Sequence, residues 1–121
     1  MTPTSGSTNS RLKRVCVFSG SSPGNDPRFL EAARELGAAL ARRGVELVYG
    51  GANVGLMGAM ANAVLDGGGH VIGVIPRHLV DFEVAHTGIP DLRIVEAMHE
   101  RKALMAELSD AFVALPGGFG T

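Results

Sequence analysis

Cysteine is almost absent from this 121-residue sequence, with Cys16 standing alone. A single thiol excludes an intrachain disulfide framework and any multi-cysteine zinc site. Set inside the apolar run 14–19, Cys16 reads as a buried structural thiol rather than a reactive one. The four histidines, His70, His78, His86 and His99, share no metal-ligand spacing, so no metal is expected. An excess of either charge is also missing: 11 basic and 12 acidic side chains give a formal net charge of −1. Neither nucleic acid nor an anionic membrane surface is an expected partner. No stretch approaches the ~18 apolar residues of a membrane helix. The first ten residues, MTPTSGSTNS, hold no apolar signal-peptide core. The expectation is a soluble cytoplasmic protein with a disordered tail over 1–12 and one domain over 13–121.

What is present is glycine. Seventeen glycines are about twice the usual share, and they cluster after apolar runs without a collagen period. Hydrophobic residues at 45% supply a core, and charged residues at 19% argue against disorder. Residues 14–19 (RVCVFS) are short and almost wholly apolar, as a strand buried on both faces should be. After the break at 20–24, Asp26 and Pro27 are placed to open a helix. Phe29, Ala33, Leu36 and Leu40 continue it at three- and four-residue spacing, and Gly44 closes it. Strands are expected at 45–49, 70–75, 92–95 and 111–115. A second helix carries Leu56, Met57, Met60 and Val64 and stops at Gly67-Gly68-Gly69. A third carries Met98, Arg101, Met105 and Leu108 on one stripe. The segment 77–90 reads as irregular.

Near-continuous apolar strands alternating with helices predict an α/β fold of right-handed β-α-β units around a parallel sheet. Ligands of such sheets bind outside the carboxyl ends of the strands. Three glycine-rich loops fall there, after Ser19, Tyr49 and Leu115, and together they predict a phosphate- or nucleotide-sized site. The dinucleotide spacing G-x-G-x-x-G is absent after the first two strands. Gly50 to Gly55 is followed by Leu56 and Met57 where a P-loop needs Lys and Ser or Thr. No G-x-S-x-G elbow is present.

The terminal Pro116-Gly117-Gly118-Phe119-Gly120-Thr121 suits an anion-binding concavity of converging backbone N–H groups, with the Thr121 hydroxyl as a further donor. Gly50, Gly51, Gly55 and Gly58 either serve a ligand or let a helix pack closely on a strand. Ser21 and Ser22 either bind or cap a turn. Arg101 lies on the inward stripe, where a buried guanidinium is costly unless it meets an anion, from a ligand or from the protein. Lys102 lies off that stripe. Taken alone, Glu83 is a loop carboxylate, while His99 and Glu100 read as helix-surface residues and His70 as structural.

FSGSS at 18–22, YGGANVGLMGAMA at 49–61, GHVIGVIP at 69–76, MHERKALM at 98–105 and ALPGGFGT at 114–121 resemble the "lonely guy" family of cytokinin riboside 5′-monophosphate phosphoribohydrolases, long labelled lysine decarboxylases. The resemblance runs in order from Arg14 to Thr121. It implies a Rossmann-like, three-layer α/β/α homodimer, incomplete at its C-terminal part, that needs no cofactor. Its substrate would be a nucleoside 5′-monophosphate, with free base and ribose 5-phosphate as products. By similarity, Gly117, Gly118, Phe119, Gly120 and Thr121 would form the phosphate-binding turn. Arg101 and Lys102 match the family's substrate-binding pair, with Arg101 in a positioning or leaving-group role. Glu83, 18 positions before Arg101, matches a substrate-contacting glutamate, and Ser21 would help to hold the nucleotide.

The family motif continues P-G-G-x-G-T-x-x-E, so its usual catalytic glutamate would stand three positions past Thr121. The resemblance therefore implies that this chain is part of a longer enzyme and is inactive and poorly stable by itself. Two other readings of the same fold are a non-catalytic carrier, like the molybdenum-cofactor carriers, and a general AMP phosphoribohydrolase. Pyridoxal-dependent lysine decarboxylation needs a Schiff-base lysine in a cofactor site, and the only lysines are Lys13 and Lys102.

Overall fold

In the computed structural model, residues 12–18, 27–53, 55–81 and 85–115 are described. Among these residues five strands and three α-helices follow in the order β1 (Arg14–Phe18), α1 (Pro27–Arg42), β2 (Glu46–Tyr49), α2 (Gly55–Asp66), β3 (Val71–Pro76), β4 (Asp91–Val95), α3 (Met98–Leu108) and β5 (Ala111–Ala114). All strands pair in parallel, in the order β4-β3-β2-β1-β5. Each predicted strand is found to within a residue or two at its ends. Part of the segment read as irregular is a short 3-10 turn at Arg77–Leu79.

Alternation along the strands sorts the core into two layers. Val15, Val17, Leu47, Tyr49 and Val71 pack with Ala33 and Leu40 of α1 and with Leu56, Met60 and Val64 of α2. Cys16, Val48, Ile72 and Val74 face the other way, against Met105, Leu104 and Leu108 of α3. Helices thus cover both faces, which is why β3 is buried at every position. The two helices of the first layer touch backbone to side chain. A Cβ on Gly37 would stand 2.5 Å from the Met60 carbonyl oxygen and 2.9 Å from Ala63 Cβ.

The third helix departs from its predicted stripe. Met105 is buried, but Met98 is 42% exposed. Phe18 and Phe112, on the face that α3 only partly covers, are also exposed, and their rings stack with centroids 5.9 Å apart. Cys16 is fully buried, and burial pushes its thiol up to about 11, with a hydrogen bond from Ser109 opposing the shift. That is the structural thiol expected from the sequence.

At the amino ends of the strands, Asp110 ties β5 to β1. Its Oδ2 accepts the backbone N–H of Lys13 at 2.8 Å and of Arg14 at 3.1 Å. The Lys13 bond, then the Arg14 bond, holds this carboxyl below the usual carboxylate range. A carboxylate with a depressed folded pKa stabilises above its unfolded value, near about 3.9. That contribution disappears as pH falls through the lower folded value. The thermal midpoint is therefore expected to fall on the acid side, below about pH 4. Asp110→Asn should lower the midpoint at neutral pH and make that acid-side fall shallower, as followed by circular dichroism. An unchanged acid limb would show that Asp110 is not its source.

Candidate active site

The carboxyl end of the sheet is shaped by the backbone that follows β2. Residues 50–53 leave Tyr49 as a short loop, and Gly51 takes φ +85, a conformation that side chains rarely adopt. Three successive carbonyls of this loop accept hydrogen bonds from three different parts of the chain. Arg101 Nη2 donates to Gly50 O at 2.7 Å, the His86 backbone N–H to Gly51 O at 2.8 Å, and the Tyr49 hydroxyl to Ala52 O at 2.8 Å. Ala52 also forms an isolated antiparallel bridge with Ala85. Tyr49 is wholly buried, and burial lifts its phenol far above its ordinary range, so it works as a neutral donor.

Arg101 is the predicted site residue that this geometry reaches. It leaves the first turn of α3 and crosses the ends of two strands. Its Nε donates to Val74 O of β3 at 2.9 Å, while Nη2 serves Gly50 O after β2. Nη1 lies 3.9 Å from Met98 Sδ. The sequence predicts an anion for this half-buried guanidinium. In these contacts its partners are carbonyl dipoles, whose partial negative charges converge at the ends of neighbouring strands. Two nitrogens on two fixed oxygens set the plane of the group, which an ammonium could not do. Gly50 makes the approach possible, since a Cβ there would sit 2.5 Å from Arg101 Nη2.

Lys102, next on the helix, is exposed, as its place off the stripe predicts. Ser21, Glu83 and Gly117, Gly118, Phe119, Gly120 and Thr121 lie outside the described residues. Of the other glycines weighed, Gly58 has a packing reason: its Cβ would lie 2.6 Å from the Asn53 carbonyl carbon. His70, read as structural, sits 3.8 Å from Asp91 at the opposite end of the sheet.

Three contributors escape the sequence reading. Glu100, taken for a surface residue, holds the start of α3: its Oε1 accepts the N–H groups of Ala97 at 2.8 Å and Glu96 at 3.0 Å. This is half of a capping box, because Ala97 has no side chain to return the bond. A serine or threonine at 97 would have given the signal. The Tyr49 hydroxyl reaches a carbonyl three residues on, and the His86 N–H one 35 residues earlier, and neither use of a backbone oxygen leaves a mark on residue type.

A groove of about 650 Å³ opens elsewhere, between α1 and α2, lined by Glu31, Arg34, Glu35, Arg42, Asn62 and Asp66 among others. Its lining mixes opposed charges, and Arg101 is not part of it. No helix among the described residues is long and apolar enough to cross a membrane.

A protein-family model described as "Possible lysine decarboxylase" matches residues 57–121, more than half of the sequence. The chain belongs to this family. Among its relatives, the cytokinin riboside 5′-monophosphate phosphoribohydrolase LOG of Oryza sativa subsp. japonica is 53% identical over 116 residues, covering 96% of this chain and 48% of that protein. The cytokinin riboside 5′-monophosphate phosphoribohydrolase of Rhodococcoides fascians is 56% identical over 110 residues, covering 90% of this chain and 56% of that protein. The chain thus spans about half the length of the curated relatives it matches. Among solved structures, the molybdenum cofactor binding protein of Rippkaea orientalis superposes with a TM-score of 0.75 at 24% identity, over 91% of this chain and 66% of that one. That likeness concerns the fold of this decarboxylase-labelled family, an α/β fold on a parallel sheet.

Proposed function

We propose that the protein carrying this chain hydrolyses the N-glycosidic bond of cytokinin riboside 5′-monophosphates, and of AMP, to free base and ribose 5-phosphate. The observation that carries the reading is Arg101, fixed across the carboxyl ends of β2 and β3 in a chain more than half identical to phosphoribohydrolases. In the reaction, the bond between the ribose anomeric carbon and the base nitrogen breaks. Water adds its hydroxyl to that carbon, and its proton ends on the departing base.

Positive charge builds on the ribose as the bond stretches, so a carboxylate at that carbon stabilises the transition state and orients water. Glu83 is assigned to substrate contact. The Gly117–Thr121 turn and Ser21 are assigned to the phosphate. Arg101 fixes the nucleotide or assists the leaving base, with Lys102 beside it. The glutamate three positions beyond Thr121 in the family motif is assigned as the catalytic carboxylate. No cofactor enters the scheme, and a cytoplasmic homodimer is the assigned state.

Lysine decarboxylation has less support. Pyridoxal chemistry needs a Schiff-base lysine in a cofactor site, and the two lysines of this sequence are both exposed, Lys13 at the amino end of β1 and Lys102 on α3.

The test is chromatographic. Isopentenyladenosine monophosphate and AMP are each incubated with the longest polypeptide encoded with this sequence, and separately with residues 1–121. Release of base with equal ribose 5-phosphate by the longer form is the expected result. A folded longer form that binds nucleotide without releasing base would replace this reading with that of a carrier.

A further inference from the structure

Among the described residues, His86 is the one buried polar or charged side chain, 6% exposed in an otherwise apolar core. Its hydrogen bonds are complete. Nδ1 accepts the Gly88 backbone N–H at 3.0 Å, which leaves the ring proton on Nε2, 2.8 Å from Asn62 Oδ1 on α2. The backbone N–H of the same residue donates to Gly51 O. The ring also fits only because residue 88 is glycine, whose Cβ would stand 2.9 Å from His86 Cε1. A satisfied polar group in a core fixes one arrangement among several that apolar packing would allow.

That arrangement bears on Arg101. The carbonyls of Gly50 and Gly51 belong to consecutive peptide planes, and planar peptides leave two soft dihedrals between them. One carbonyl holds the Arg101 guanidinium, and the next is held by His86. With the Gly51 carbonyl held by the His86 N–H and the Ala52 carbonyl by the Tyr49 hydroxyl, those two dihedrals have less room, and the Gly50 carbonyl is confined with them. Asn62 is the far anchor: exposed on its helix, it fixes the ring that fixes the segment 85–88 against the loop.

We propose that Asn62 and His86 form a positioning pair, holding the 50–52 backbone so that Gly50 O and Val74 O keep Arg101 aimed at the substrate. The pair touches no reacting atom. Its kinetic consequence rests on the phosphoribohydrolase reading, whereas its structural consequence does not.

The experiment uses the intact protein and the variants Asn62→Ala, His86→Gln and His86→Asn. Asn62→Ala keeps every apolar core side chain and suits a helix, and it takes from His86 Nε2 its acceptor. Glutamine keeps a donor near the Nε2 position, whereas asparagine keeps only an acceptor near Nδ1. Three quantities are measured: hydrogen exchange of the Arg101 Nε–H by nitrogen-15 NMR, thermal midpoint, and kcat and KM for isopentenyladenosine monophosphate.

For Asn62→Ala the expected result is Arg101 Nε–H exchange faster by about fivefold, a usual size for coupling through packed contacts. kcat should fall by a similar factor, with KM unchanged and the midpoint lower by about 2–4 °C for the lost hydrogen bond. His86→Asn should match it and His86→Gln should restore most of the loss. Should His86→Asn fail to fold, Asn62→Ala decides alone. Unaltered Arg101 exchange in Asn62→Ala overturns the proposal and leaves His86 a packing residue. If the intact protein releases no base, the enzymatic reading falls, and the exchange measurement still judges the pair.

Discussion

Arg101→Ala is expected to lower kcat/KM for base release by at least about 100-fold, or about 2.7 kcal/mol of transition-state stabilisation. The size follows from what the side chain contributes. It is a permanent cation locked by two hydrogen bonds at the carboxyl ends of β2 and β3, so no reorganisation is needed when negative charge develops on the departing base. Arg101→Lys should lose nearly as much. An ammonium on a flexible stem cannot replace two separate nitrogens held in one plane, 2.9 Å from Val74 O and 2.7 Å from Gly50 O.

Stability should fall as well, by about 1–3 kcal/mol, because Val74 is fully buried and its carbonyl would lose this donor. Urea unfolding of the intact protein separates the two losses. Saturating substrate recovers activity if Arg101 only binds the ground state, and does not if it acts in the transition state. A variant that folds and turns over within twofold of the original would remove Arg101 from the site.

Reading the sequence reached the sheet and its helices because their signals are local. Five apolar runs gave the strands, Pro27 and Gly44 framed α1, and glycines at 67–69 ended α2. Strand order was not legible. The return of β5 to lie beside β1 depends on α3 covering the second face, and nothing in the local pattern of either segment states it. The site divides in the same way. Arg101 could be chosen from its stripe and from the M-x-x-R-K resemblance, but its partners could not. Gly50 and Val74 stand 51 and 27 positions away and contribute only backbone oxygens. Any residue has a carbonyl, so its use leaves no mark on residue type. Gly50 is the exception, since the absence of its side chain is itself the mark.

That mark supports the sharpest separation of site from scaffold. Gly50→Ala is expected to cost little stability and to lower base release by about tenfold or more, as small misplacements of a positioning group do. The added Cβ would lie 2.5 Å from Arg101 Nη2 and 3.3 Å from its Cζ, both at the far end of a long, flexible side chain. The Nη2 end can swing off Gly50 while Nε, 3.7 Å from the added Cβ, keeps its bond to the buried Val74 carbonyl, so the clash is relieved without moving a strand. Gly50 is not among the positive-φ glycines, so alanine meets no backbone strain there. The contrast is Gly73→Ala. Its Cβ would meet Ile89 Cδ1 at 2.7 Å and Gly51 Cα at 2.9 Å, buried side chain and backbone that cannot step away. Overpacking of that kind costs about 1–3 kcal/mol.

Measured side by side, Gly50→Ala should lose activity at nearly constant unfolding midpoint, and Gly73→Ala should lose midpoint first. Equal loss of stability in both would mean that the loop after β2 is held by packing alone. Full activity in Gly50→Ala would mean that the guanidinium need not lie where the two carbonyls place it.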